Sequence, residues 1–238
     1  TKALVEQIRG VDSAYCVSAL VTKKLIRECG RLNVPGRPIV YETTPDFLRV
    51  FGLESLDELP EMICTLMETT DSLLAVCNKK SEAAYLLVHT RSSEYRSFHL
   101  SAAMCLQHRR DVLSELQSTL TQGKKVLCIA TQVIEAGVDI SFGAVLRLTA
   151  GMDNIVQAAG RCNRNGESET PCPVYAVNCT DEKLGMLRDI QRGKDAALAL
   201  MNAFGASPER FGSSLFSDAS IQYYYSVLYR DMAAGEQD

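Results

Sequence analysis

Hydrophobic and polar positions follow two different rhythms along this chain. In the first stretch, residues 1–60, Val17, Leu20, Val21 and Leu25 recur at the three-and-four spacing of an amphipathic helix. Arg9-Gly10-Val11-Asp12-Ser13 ahead of them reads as a helix end, a glycine turn and a capped helix start. Two helices across a short turn predict a helix-turn-helix. Residues 26–32 and 39–41, separated by Pro35-Gly36, predict the two strands of a hairpin. Thr44-Pro45-Asp46 sets a cap residue before a proline, which predicts a helix over 46–51 that stops at Gly52. Helix, helix, wing, helix is the order of a winged helix without its first helix.

From about residue 61 the rhythm becomes strand, helix, strand. Residues 72–77, 96–100, 125–130, 144–148 and 173–178 read as strands, with helices over 79–90, 107–120 and 153–160 between them. Near-continuous apolar strands alternating with helices predict an α/β fold, a parallel sheet flanked by helices on both faces. Two more helices follow, over 181–204 and 218–232. Their stripes (Leu184, Leu187, Leu198 and Met201; Ile221, Tyr224, Tyr225 and Leu228) read as packing faces. The expected organisation is a partial winged helix over 1–60, an α/β lobe over 61–180 and a C-terminal helical extension over 181–238. The junction falls at Leu59-Pro60-Glu61, and residues 61–70 are a short linker or an entering helix.

Composition narrows this picture. The 238 residues suffice for one large domain or two small ones and are too few for a complete two-lobe motor. A hydrophobic fraction of 46% can build a core. The net charge of −4 excludes a globally basic nucleic-acid binder, so any such contact is a local patch. No apolar run of spanning length occurs, and Thr1-Lys2-Ala3-Leu4-Val5-Glu6 lacks the pattern of a signal peptide, so no membrane contact is expected. Nine scattered cysteines without a C-x-x-C pair, and no histidine at zinc-like spacing, predict reduced thiols in a cytoplasmic protein and no metal site.

The chemistry gathers between residues 131 and 164. Thr131-Gln132-Val133-Ile134-Glu135-Ala136-Gly137-Val138-Asp139 follows an apolar strand, and ligands of open α/β sheets bind beyond the carboxyl ends of strands. Thr131 offers a hydroxyl and an N–H to a phosphate, and Gly137 lets backbone approach a ligand closely. Asp139 can accept from a ribose or orient a neighbouring arginine. Gln157-Ala158-Ala159-Gly160-Arg161-Cys162-Asn163-Arg164 then sets two arginines near one helical face behind small residues. Guanidinium pairs clamp phosphate oxygens and stabilise charge in phosphoryl transfer.

These two segments resemble motifs V and VI of superfamily 2 helicases, which lie on the second RecA-like lobe. Their details, with Phe98-His99-Leu100-Ser101-Ala102-Ala103-Met104-Cys105, His108-Arg109-Arg110 and Val76-Cys77-Asn78-Lys79-Lys80-Ser81-Glu82-Ala83, are most similar to the CRISPR-associated helicase–nuclease of type I systems. The resemblance covers residues 69–229. It implies a RecA-like parallel sheet, with Arg161 and Arg164 as arginine fingers on an ATP γ-phosphate and Gln157 in support. Gly137 and Asp139 would line the ATP cleft between lobes. Thr131, Ser101 and Arg109 would touch single-stranded DNA. Partners would be the first helicase lobe or the guide-RNA surveillance complex.

The sequence departs from that family in holding no G-x-x-x-x-G-K-S/T loop, no D-E-x-H or D-E-A-D box and no His-Asp pair for a nuclease metal. ATP and Mg2+ are therefore expected only together with a first lobe, with neither bound by this chain alone, and the chain alone is expected to be inactive. Arg31-Leu32-Asn33-Val34-Pro35-Gly36-Arg37-Pro38-Ile39-Val40-Tyr41, Thr43-Thr44-Pro45-Asp46-Phe47-Leu48 and Phe51-Gly52-Leu53-Glu54-Ser55-Leu56-Asp57-Glu58-Leu59-Pro60 resemble a different family, segregation and condensation protein B. That resemblance covers residues 1–60 and implies a non-enzymatic adaptor that binds a kleisin. Its eight lysines and arginines need not mean DNA. The alternative function is thus a chromosome-condensation adaptor with a passive fused tail.

Overall fold

The computed structural model describes residues 1, 2, 6, 17, 18, 26–31, 36, 38–43, 51–53, 55–134, 139–164 and 172–235. It divides into two compact units, Thr1–Arg49 and Val50–Asp238. In the first, β1 (Ile26–Arg31) and β2 (Ile39–Thr43) pair antiparallel, with a register shift between Glu28 and Gly30. This is the expected wing, two residues longer at its second strand. The expected helix-turn-helix lies almost wholly outside the described residues, as does the helix over 46–51 apart from Phe51.

The second unit is a parallel sheet of six strands. They are β3 (Phe51–Leu53), β4 (Ser72–Val76), β5 (Arg96–Leu100), β6 (Val126–Ala130), β7 (Ala144–Leu148) and β8 (Val174–Cys179), in the order β3-β8-β7-β4-β6-β5. Phe51 and Gly52 therefore belong to a strand and not to the end of a helix. Locally Gly52 reads as a helix stop, but the open edge of β8 pairs Phe51 with Val177 and Leu53 with Cys179, and pairing overrides the local signal. The helices are α1 (Leu59–Thr69), α2 (Lys80–His89), α3 (Leu106–Thr121), α4 (Met152–Ala159), α5 (Arg188–Ala206) and α6 (Asp218–Gly235).

Alternation along the strands sorts the core. Leu73, Ala75 and Cys77 on β4 and its end, Leu127 and Ile129 on β6, and Leu146 and Leu148 on β7 join α1 and α2 on one face. Leu74, Val76, Val126, Cys128, Ala130 and Val145 face α3 and α4 on the other. The segment expected as a linker or entering helix is α1, whose Leu59, Ile63 and Met67 are fully or almost fully buried against the first face. Each such side chain contributes roughly 1.5–3 kcal/mol of transfer free energy. The compact boundary accordingly falls after Arg49, some ten residues ahead of the expected junction.

The C-terminal helices complete this unit instead of forming a separate one. Ala196, Leu200, Met201 and Phe204 of α5 meet Tyr224 and Val227 of α6 and Met152 and Ile155 of α4. The expected helix over 181–204 starts only at Arg188, because Gly185 at φ +55° breaks the chain into turns first. Where α5 crosses the start of α4 the backbones nearly touch. A methyl group at Gly193 would lie 3.0 Å from the Gly151 Cα.

Candidate functional site

The expected site residues separate into two groups at opposite ends of the sheet. The first lies at the amino edge. Helix α4 buries Met152, Ile155 and Ala158, leaves Gln157 exposed, and ends at Gly160. The chain then turns back beside the segment that enters β7. Phe142 N–H donates to the Arg161 carbonyl at 2.9 Å, and Asn163 N–H donates to the Phe142 carbonyl at 3.0 Å. Asn163 takes a left-handed conformation, φ +48°, which asparagine tolerates. This turn projects the two arginines differently. Arg161 is 5% exposed, whereas Arg164 lies outside and its Nε donates to Asp139 Oδ1 at 2.8 Å. The Arg164 backbone N–H donates to Ser141 Oγ at 3.0 Å.

Electrostatics couple these three charges. Burial lowers the Arg161 pKa from its ordinary value, the Arg164 guanidinium lowers it further, and the Asp139 carboxylate opposes both. Arginine stays protonated nonetheless, so Arg161 and Arg164 form a like-charged pair that, among the described residues, Asp139 steadies. Beside them opens a cleft of about 630 Å³, lined by Ser72, Thr121, Asp139, Ser141, Gly143 and Asn163 among others. Gly137 lies outside the described residues.

The second group sits at the carboxyl edge, across five-residue strands that span about 16 Å. Thr131 follows β6, and its N–H donates to the Leu100 carbonyl at 2.9 Å, which places it beside Ser101 at the end of β5. Both are buried, at 7% and 4% exposure. Arg109, on the first turn of α3, donates through Nη2 to the Met104 carbonyl at 3.5 Å, and the Met104 N–H donates to the Ser101 carbonyl. The structure thus gathers Ser101, Thr131 and Arg109 in one corner. The carboxyl-end rule holds for Thr131 but not for Asp139, which lies at the other edge, ahead of β7.

A third constellation escaped sequence reasoning. Arg147 lies one residue before the end of β7 with no exposed surface, and its Nη1 donates to Asn78 Oδ1 and to the Leu148 carbonyl, each at 2.7 Å. Asn78 Nδ2 donates to the Thr149 carbonyl at 3.0 Å and to Glu182 Oε1 at 2.8 Å. Lys194 Nζ donates to Glu182 Oε2 at 2.6 Å. Lys79 pairs with Glu82 at 2.8 Å and donates to the Lys183 carbonyl. Burial raises the Glu82 pKa, with hydrogen bonds from Lys79 opposing. The available signals were Arg147 inside an apolar strand and Lys194 among the small residues Gly193, Ala196 and Ala197.

Among the described residues no three His, Cys, Asp or Glu side chains could together hold a metal ion, and no helix is long and apolar enough to cross a membrane. Cys77, Cys128 and Cys179 are buried free thiols, and burial raises the pKa of each.

Comparisons with known proteins also divide the chain in two, at a later point than the compact units. A family model of the segregation and condensation complex subunit ScpB matches residues 1–62. A family model of the CRISPR-associated nuclease/helicase Cas3, C-terminal, matches residues 64–167. Segregation and condensation protein B of Clostridium acetobutylicum is 58% identical over 62 residues, covering 26% of this chain and 31% of that one. Its counterpart from Clostridium botulinum is 46% identical over 68 residues, covering 29% and 35%. The chain spans about a third of the length of these curated relatives. Among solved structures, T. fusca Cas3 matches with a TM-score of 0.57 at 15% identity over 79% of this chain and 24% of that one. T. fusca Cas3 with ATP matches at 0.56 and 15%, over 74% and 22%. At such identity the likeness establishes the fold, a RecA-like parallel sheet flanked by helices, with a winged-helix segment of the ScpB kind ahead of it.

Proposed function

We propose that the second unit is the second lobe of a CRISPR-associated, DNA-dependent ATP motor, and that it completes a nucleotide pocket whose other half lies on a first lobe. The observation that supports this reading is the grouping of Arg161 and Arg164 with Asp139 on the amino edge, next to an open cleft that Asp139 lines. Guanidinium groups of this kind suit the oxygens of a polyphosphate better than a neutral ligand. ATP with Mg2+, held chiefly by the first lobe, supplies the transferable phosphoryl group when bound. Arg164 spends its Nε on Asp139, which leaves both Nη groups for phosphate oxygens. Arg161, largely buried, carries its charge in a poorly solvated setting, where electrostatic stabilisation is strongest. Gln157, exposed one turn earlier, supports the same contact, and Gly137 and Asp139 line the nucleotide side.

At the opposite edge Ser101, Thr131 and Arg109 meet the backbone of single-stranded DNA. The protein acts in the cytoplasm with a first lobe or a surveillance complex as partner. The absence of a phosphate-cradling loop and of a magnesium-binding box from the sequence leaves the chain inactive by itself.

A second reading is favoured by the 58% identity, over 62 residues, to a segregation and condensation protein. On this reading residues 1–60 bind a kleisin and the remainder is a passive tail.

The test is ATP hydrolysis with single-stranded DNA, by the chain alone and mixed with a separately produced first lobe of the same family. Turnover arises only in the mixture, and Arg161→Ala or Arg164→Ala lowers it by roughly a thousandfold. Turnover by the chain alone, or turnover indifferent to both arginines, ends the reading. Capture of a kleisin by the chain, with no response to the first lobe, selects the adaptor.

A further inference from the structure

The family boundary and the physical boundary do not coincide. The ScpB match runs to Met62, yet the second compact unit begins at Val50. Described residues in the overlap make their contacts with the α/β sheet and its helices. Residues 51–53 pair in parallel with Val177–Cys179 of β8. Ser55 closes a capping box with Glu58, which shapes the turn that follows. Within that turn the Leu56 N–H donates to Asp181 Oδ1 at 3.1 Å, and Asp57 Oδ1 accepts from the Tyr85 hydroxyl at 2.7 Å. Leu59 has no exposed surface, and Leu56 and Met62 pack against the same core cluster.

From these contacts we infer that residues 51–62 are a strap for the α/β lobe: a segment of condensation-protein sequence that closes the sheet edge beyond β8 and pins the corner at Asp181 and Glu182. Asp181 adjoins Glu182, which holds Asn78 and Lys194, so the strap is a positioning element for the buried polar network as well as a cover. The two sequences are joined through shared structure, and the lobe cut at residue 63 lacks its outermost strand and the first turn of α1. This assignment stands whether or not the lobe belongs to a motor, since it rests on contacts inside the second unit.

The test is hydrogen exchange of the full chain and its variants, read segment by segment. Leu56→Pro deletes the N–H that Asp181 accepts at a position where proline suits a helix start, while Leu56→Ala trims the same side chain and keeps the N–H. Exchange over residues 174–184 is expected to rise roughly fivefold more in the proline variant than in the alanine variant. Asp57→Ala is expected to speed exchange in α2, with Asp57→Asn restoring protection because the amide oxygen still accepts from Tyr85. In none of these does the β1–β2 hairpin change. Equal exchange over 174–184 in both Leu56 variants, or a response confined to the hairpin, overturns the assignment and returns residues 51–62 to the first unit.

Discussion

The carboxyl and amino edges of the sheet put their charges to different uses. At the carboxyl edge Arg147, Asn78, Glu182 and Lys194 form a buried chain of hydrogen bonds in which Glu182 and Lys194 have side chains only 1% and 6% exposed. At the amino edge the pair Arg164–Asp139 is 40% and 82% exposed beside an open cleft. A buried network is costly to disturb and gives the strand ends one arrangement. An exposed pair contributes little to stability and can exchange partners at small cost. The same residue types therefore hold the fold at one edge and stand ready to meet something outside it at the other.

The sharpest way to break this comparison is Lys194→Met. It leaves the Glu182 carboxylate buried and uncompensated, which costs about 3–5 kcal/mol, and thermal unfolding should fall by more than about 5 °C. A fall no larger than that of a surface variant would mean that the carboxyl edge is not a holding network. Asp139→Ala should change stability by less than about 1 kcal/mol, measured by urea unfolding, while altering turnover in the reconstituted motor. A large stability loss there would erase the distinction between the edges.

The smallest effect is a slope in pH. Burial lowers the His99 pKa, so its contribution to stability is full above its ordinary value of 6.5 and is lost as pH falls through the folded value. Glu82 has the opposite sign: its folded pKa is raised, so its contribution is full below 4.5 and is lost as pH rises through the folded value. Between pH 5 and 7, His99→Gln should flatten the rise of stability with pH and Glu82→Gln should steepen it, as read by unfolding midpoints. Changes of the same sign in both variants would refute the assignment of these two shifts.

Most of the lobe was legible because its strands are short apolar runs between helices of clear period, and five of the six strands fall where the sequence puts them. The sixth, 51–53, was not legible, since three residues around a glycine carry no strand pattern and the pairing depends on an edge more than a hundred residues away. The amino-edge group was visible as types and spacing, but not its separation from Thr131, because nothing local reveals that a segment crosses from one end of a sheet to the other. Arg147 was hidden for a related reason. The Asn78 that receives this arginine lies at the exit of a different strand, 69 residues away, so the run around Arg147 does not announce it.

The near-contact of Gly151 with Gly193 sets how far the motif-bearing helix can be adjusted. Main chain rests on main chain there, with no side chain between to shrink, swell or rotate. The pitch of α4 is consequently a fixed dimension of the lobe, and fine adjustment of where the two guanidinium groups reach falls to the short return turn from Gly160 to Arg164.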